Sequence, residues 1–258
     1  MKKTWNRSLG QSASTPDQGM RWLPTTCALC RVWGDSVLCP ACRQDHARII
    51  PRCPGCAHPL APGLTRCSRC AQDGPGALAA CMARVAYAWP WDDIVARFKF
   101  RAQPAWAREL ARLMLDDPQI VTALAAADGL IPIPLAPSRL RERGFNQAAE
   151  LARQLGRRLH RPVRPHALLR RETQRTQHEL DRAERQAHAR LAFAVAAQER
   201  PHIAGRHWIL VDDVMTTGAT LQAAAQRLRE AGAASVGAVV FARTPAPSAQ
   251  HWLAEPME

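Results

Sequence analysis

Trp208-Ile209-Leu210-Val211 is an unbroken apolar run of the length a strand buried on both faces needs, and Ser235 to Ala242 is a second. Between them, after a polar turn, Leu221 to Ala231 has helical composition and ends at Gly232, a residue suited to closing a helix. Strand, helix and strand in that order predict a βαβ unit and hence a parallel sheet. Trp106 to Leu115, with Leu110, Leu113 and Met114, and Ala148 to Leu159, with Leu151, Leu155 and Leu159, carry apolar residues at helical spacing. In the second of these, Arg153, Arg157 and Arg158 fall mostly off the apolar stripe, as a solvated face would. Periodicity leaves Leu130-Ile131-Pro132-Ile133-Pro134-Leu135 undecided, because two prolines argue against a central strand.

Residues 1–22 are polar and aperiodic, which predicts a flexible arm. Cys27 to Cys70 has little apolar periodicity but regularly spaced cysteines, and Gln72-Asp73-Gly74-Pro75-Gly76 reads as a linker. The expected organisation is an arm over 1–22, a cysteine-rich module over 23–76, an α/β domain over 85–245 and a tail over 246–258. A chain of 258 residues, 47% hydrophobic, has room for one α/β core and a small satellite.

Thirty-five basic against 22 acidic residues give a formal charge of +13, which favours phosphates on a small substrate, a nucleic acid or a membrane surface. Lys2, Lys3 and Lys99 are the only lysines, so an arginine- and alanine-rich base composition explains the same excess. Met1 to Gly10 lacks the apolar run of a signal peptide. No stretch approaches the ~20 apolar residues of a membrane span, since Arg84 interrupts Ala77 to Trp89. A soluble, cytoplasmic protein is expected, and in that reducing compartment nine cysteines point to metal or redox chemistry rather than disulfides.

The spacing is Cys27-x2-Cys30-x8-Cys39-x2-Cys42, then Cys53-x2-Cys56-x10-Cys67-x2-Cys70. Each CxxC aims two thiolates at one ion, and two such pairs complete a tetrahedral four-sulfur zinc site. Sequential pairing gives two structural Zn²⁺ sites; interleaved pairing stays open. Zinc on four thiolates carries about −2 of charge, which Arg31, Arg43, Arg52, Arg66 and Arg69 are near enough in sequence to offset. A thioredoxin-like role would need a single CxxC at a helix start after a strand, a context missing here. His46 and His58 are read as surface histidines, and Cys81 as a small buried hydrophobe.

Ile209 to Thr220 carries the most chemistry. An apolar strand delivers Asp212 and Asp213 at its carboxyl end, and Thr216-Thr217-Gly218-Ala219-Thr220 then opens a helix. Ligands bind at that edge of a parallel sheet, and the free N–H groups of a helix start suit a phosphate. Gly218 lets the backbone approach, and Thr216, Thr217 and Thr220 add hydroxyl donors. Two carboxylates repel a phosphate unless they grip hydroxyls or a divalent cation, so the parts describe a sugar phosphate. GxxxxGK[ST] and GxGxxG are both absent, which argues against a P-loop or a dinucleotide fingerprint.

Residues 209–220 resemble the phosphoribosyl-pyrophosphate motif of type I phosphoribosyltransferases. Leu135-Ala136-Pro137, Arg139 and Arg141-Glu142-Arg143-Gly144-Phe145-Asn146-Gln147 are similar to the RGFNQ signature of ComF/GntX proteins. The cysteine array, Phe98-Lys99-Phe100, Gln177-x-x-Leu180 and the final motif stand in the order of that group, while His188 and Leu191 depart from its usual Asn and Gly. The resemblance implies a type I phosphoribosyltransferase-like parallel sheet flanked by helices, behind a small N-terminal cysteine-rich zinc module. It also implies Mg²⁺ with the substrate, Asp212 and Asp213 on the ribose hydroxyls, and Thr216 to Thr220 on the 5′-phosphate. A loop from Arg139 to Gly144 would face the pyrophosphate, with Arg139, Arg143 and Lys99 offsetting its charge. The group is linked to uptake or use of external DNA, so single-stranded DNA or competence proteins are expected partners, and non-catalytic association with single-stranded DNA is the alternative to phosphoribosyl transfer.

Overall fold

Four parallel strands, Cys81–Ala86, Ser235–Arg243, His207–Met215 and Gly129–Pro132 in that spatial order, form the central sheet. The computed structural model describes residues 25–74, 76–100, 103, 105–171 and 192–245. The expected arm, the tail and the Arg175 to Arg190 segment lie outside these residues. The chain divides into two compact units, residues 1–44 and 45–258.

In the smaller unit, β1 (Thr25–Thr26) pairs antiparallel with β2 (Trp33–Gly34), and α1 (Pro40–His46) begins. Leu38 is buried there beside Cys27 and Cys42. The larger unit continues with α2 (Ser68–Gln72), β3 (Cys81–Ala86), α3 (Trp91–Phe100), α4 (Trp106–Leu115), α5 (Pro118–Ala126) and β4 (Gly129–Pro132). There follow α6 (Pro137–Arg143), α7 (Gln147–Leu159), the antiparallel pair β5 (Leu168–Arg170) and β6 (Phe193–Val195), a 3₁₀ turn (Ala197–Glu199) and α8 (Arg200–Ile203). The chain closes with β7 (His207–Met215), α9 (Ala219–Glu230) and β8 (Ser235–Arg243).

The βαβ unit expected from the two apolar runs is β7-α9-β8, paired in parallel from His207 with Ser235 to Met215 with Arg243. Every residue of β8 after Ser235 is buried, which is why it shows no alternation. Its side chains still divide by face: Phe241 meets Trp91 of α3 edge-on at 5.5 Å, while Ala238 and Val240 join the cluster holding Leu221, Ala225 and Leu228 of α9. Helices thus cover both faces. Trp208 belongs to the same cluster as α9, its indole N–H donating to the Ile203 carbonyl at 3.1 Å.

The proline-bearing run resolves as β4, a short strand at the edge of the sheet. Pro132 ends it, so the missing N–H interrupts no central ladder, and Ile133 restores the register by donating to the Val211 carbonyl at 2.9 Å. Among the described residues no helix is long and apolar enough to cross a membrane.

Candidate functional site

The four sulfurs of Cys27, Cys30, Cys39 and Cys42 lie within 4.8 Å of one another, as do those of Cys53, Cys56, Cys67 and Cys70. The pairs associate sequentially, one set in each unit. In the first set the Cys39 amide donates to Cys27 Sγ and the Cys42 amide to Cys39 Sγ, both at 3.4 Å. Burial raises the Cys27 thiol, but backbone N–H groups of Cys39, Cys30 and Leu29 outweigh it and bring the thiol down to about 6. Cys53 is brought to about 7 in the same way, burial being outweighed by the amides of Cys67 and Gly55. Those amides favour thiolate at Cys27 and Cys53, whereas burial raises Cys42, Cys56 and Cys70; it is the clustering of four sulfurs that lets each set hold an ion preferring four sulfurs. Gly55 keeps the second set tight, because a Cβ there would stand 3.1 Å from Cys70 Sγ. The histidines belong to neither set: His46 packs on Trp89, and His58 Nδ1 lies 2.7 Å from the Pro59 carbonyl. Cys81 is 1% exposed, as expected of a buried hydrophobe, and burial pushes its thiol up to about 12.

At the carboxyl end of β7, Asp212 Oδ1 accepts from the Asp213 amide at 2.9 Å. Burial, then the Asp213 charge, push the Asp212 carboxyl up to about 8 against the pull of that amide and of Lys99. Asp213 is 6% exposed and Lys99 Nζ stands 3.2 Å from its Oδ2. Oδ2 is buried and is met by this ion pair without a hydrogen bond. Thr216 and Thr217 are exposed beyond the acids, and Gly218 turns the chain with φ +83°. Thr217 Oγ1 accepts from the Ala219 amide at 3.4 Å. The first bond of α9 runs from Gln222 N–H to the Gly218 carbonyl at 2.9 Å, so the amides of Thr220 and Leu221 have no acceptor within the helix. A Cβ on Gly218 would collide with Met215 Cε.

Arg139 and Arg143 stand on α6, a helix where a loop was expected, since Pro137 starts it and Gly144 at φ +76° stops it. Each residue after Arg143 joins elements. Phe145 meets Phe98 at 5.9 Å, and Asn146 caps α7 by accepting from the Ala148 and Ala149 amides while donating to the Ile133 carbonyl at 3.0 Å. Gln147, 2% exposed, donates to the Lys99 carbonyl at 3.4 Å and accepts from Arg143 at 3.1 Å. Arg143 also lies 4.9 Å over the Phe100 ring. Lys99 and Arg143 are therefore fastened to one scaffold, and Lys99 reaches Asp213. Arg139 is exposed, with no contact to the acids.

Arg170 on β5 escaped the sequence reading. Burial and the charge of Arg139 push its guanidinium down while Asp212 pulls it up, so Arg170, Arg139 and Asp212 share one electrostatic neighbourhood. One arginine among many carries no local pattern, and a strand of three residues is too short to mark it.

The family model described as "Phosphoribosyl transferase domain" matches residues 140–251. "DNA utilization protein YhgH" of Shigella flexneri is 36% identical over 161 residues, 61% of this chain and 69% of that one. "Competence protein F" of Haemophilus influenzae is 36% identical over 151 residues, 57% and 65% of the two chains. "Competence protein ComFC" of Bacillus subtilis is 37% identical over 116 residues, 45% and 44%. Among solved structures, an orotate phosphoribosyltransferase from Aeropyrum pernix aligns with 55% of this chain and 71% of its own at 18% identity and a TM-score of 0.28, too distant to bear on function. A phosphoribosyltransferase-type domain behind paired four-cysteine sets, in a sequence more than a third identical to YhgH and competence protein F, makes this chain a member of the ComF/GntX family.

Proposed function

We propose that the chain binds Mg²⁺-phosphoribosyl pyrophosphate at Asp212 to Thr220 and transfers the phosphoribosyl group to an acceptor, as a cytoplasmic protein of DNA uptake or use. The observation that carries the reading is the pair of adjacent acids, Asp212 and the buried Asp213, standing with Lys99 just ahead of the Thr216 to Thr220 turn. The Lys99 ammonium balances the charge of the Asp213 Oδ2 oxygen at 3.2 Å, and a ribose hydroxyl would add the directed donor that the ion pair lacks. Asp212 and Asp213 then hold the diol, and the amides and hydroxyls of Thr216, Thr217, Gly218, Ala219 and Thr220 hold the 5′-phosphate.

In the reaction the bond from ribose C1 to pyrophosphate breaks with its electron pair on the leaving oxygen, while an acceptor lone pair closes on C1. Mg²⁺, when bound with the substrate, neutralises charge on the pyrophosphate. Lys99, Arg139, Arg143 and Arg170 add fixed positive charge on that side, and the acids face the sugar as it becomes cationic. In the same reading the two cysteine sets each hold a structural Zn²⁺.

The names of the relatives favour single-stranded DNA or competence proteins as partners, and non-catalytic association with single-stranded DNA is the second reading. Replacing Asp212→Asn together with Asp213→Asn separates the two. Each charge-assisted hydrogen bond is worth about 1.5–3 kcal/mol, so affinity for phosphoribosyl pyrophosphate should fall by at least roughly tenfold in calorimetry. Phosphate-led DNA binding should strengthen, since acidic charge leaves a basic surface. Ligand binding that survives while single-strand binding tightens at matched salt rejects the phosphoribosyl site.

A further inference from the structure

Arg243, the last residue of β8, is 6% exposed and faces no carboxylate among the described residues. Its N–H groups go to four backbone carbonyls in two places. Nε donates to the Cys56 carbonyl at 2.9 Å, inside the second cysteine set. Nη1 donates to the carbonyls of Met215 at 3.3 Å, Thr244 at 2.6 Å and Thr216, two of which begin the phosphate turn. A second tie runs alongside: the Cys81 amide donates to the Pro54 carbonyl at 2.7 Å, and the Cys81 thiol donates to Met215 Sδ at 3.4 Å. Met215 in turn lies directly under Gly218. The turn around Cys53 and Cys56 and the turn after β7 therefore share one buried guanidinium and one packed thioether.

We propose that Arg243 is a positioning residue that couples metal occupancy of the Cys53, Cys56, Cys67 and Cys70 set to the shape of the Thr216 to Thr220 turn, so that a metal in this set sharpens the turn for phosphate. The inference rests on the phosphoribosyl reading only for the identity of the ligand. Metal fixes the Cys53 to Cys56 turn, and hence where the Cys56 carbonyl stands. Without that carbonyl, the rigid fork of the guanidinium loses the bond that orients it, and the Thr216 carbonyl loses a partner that stays put. The amides that follow Thr216 then sample geometries in which they diverge from a phosphate. Lysine carries the charge but not the fork, so it cannot reproduce two opposed sets of bonds.

The test uses the full chain loaded with zinc, with Arg243→Lys, Cys67→Ser and the double variant. Three quantities are read: zinc content by elemental analysis, amide exchange of residues 216–220 by mass spectrometry, and calorimetric affinity for Mg²⁺-phosphoribosyl pyrophosphate. Cys67 is only half-buried, at the start of α2 and outside the sheet core, so its variant spares the sheet. Arg243→Lys should keep both zinc equivalents, exchange at 216–220 about tenfold faster and bind the ligand at least tenfold more weakly. Cys67→Ser should lose one equivalent and show the same two changes. The double variant should be no worse than either, because both act through one connection. Additive losses, or a Cys67→Ser protein that lacks zinc while residues 216–220 exchange as in wild type, overturn the coupling. If Arg243→Lys does not fold, the exchange of Cys67→Ser decides alone. Wild-type protein that ignores phosphoribosyl pyrophosphate sinks the ligand assignment, and exchange then still decides the coupling.

Discussion

Asp212 is a carboxyl held against its own charge. In the folded protein it keeps its proton up to about pH 8, because burial and the neighbouring Asp213 disfavour the anion, against an ordinary value of 3.8. Between those limits the folded state binds more protons than the unfolded one, so this group's contribution to stability is fully present below 3.8 and is lost as pH rises through about 8. Asp212→Asn should therefore stabilise the free protein progressively from pH 5 to pH 8, by about 1 kcal/mol or more at the upper end, or roughly 2–4 °C in Tm. A melting-temperature difference that stays flat across that range would mean Asp212 is ordinarily charged. Gly218 is constrained from the other side: φ +83° strains any other residue, and an added Cβ would have to displace the terminal methyl of Met215. Gly218→Ala should cost about 1–2 kcal/mol in denaturant unfolding, and with it the alignment of the turn. The need for a small residue at 218 was legible in the sequence, but the reason lies half in Met215.

At the scale of elements, the segment Arg143 to Gln147 is mainly joinery. Gly144 ends α6, Phe145 packs on α3, Asn146 opens α7, and Gln147 fastens the Lys99 backbone to Arg143. Asn146→Ala removes a helix cap and strands the Ile133 carbonyl next to β4, so it should cost about 1–2 kcal/mol and weaken ligand binding indirectly. Asn146→Asp keeps the cap but not the donation to Ile133, so it should recover only part of the stability in thermal melts. If both variants melt alike, the capping role is wrong. The βαβ unit, α4 and α7 could be read from apolar spacing because burial of one stripe or of both strand faces leaves a periodic trace. The proline run could not, since whether β4 is an edge strand depends on what pairs with it. Helix α6 was hidden for a similar reason: seven residues with no buried side chain leave no apolar stripe.

For the whole molecule, elemental analysis should find about two zincs per chain, each lost with one of the two cysteine sets. A chain carrying no zinc, with its thiols oxidised in pairs, would refute the metal assignment. A cysteine-rich module was expected to extend to residue 76, whereas the compact units divide after Gln44, and the second cysteine set folds with the sheet. Chelation should thus perturb the larger unit as well as the smaller. The cysteine pairs, the βαβ unit and the acid–turn motif could be read along the chain, because thiolate spacing, strand burial and a helix start are encoded within a dozen or so residues. Lys99 against Asp213, Arg170 near Asp212, and Arg243 on a carbonyl 187 residues away are contacts between segments far apart in the chain. No spacing records them: a guanidinium among many is ordinary until the fold removes its water and sets four carbonyls around it.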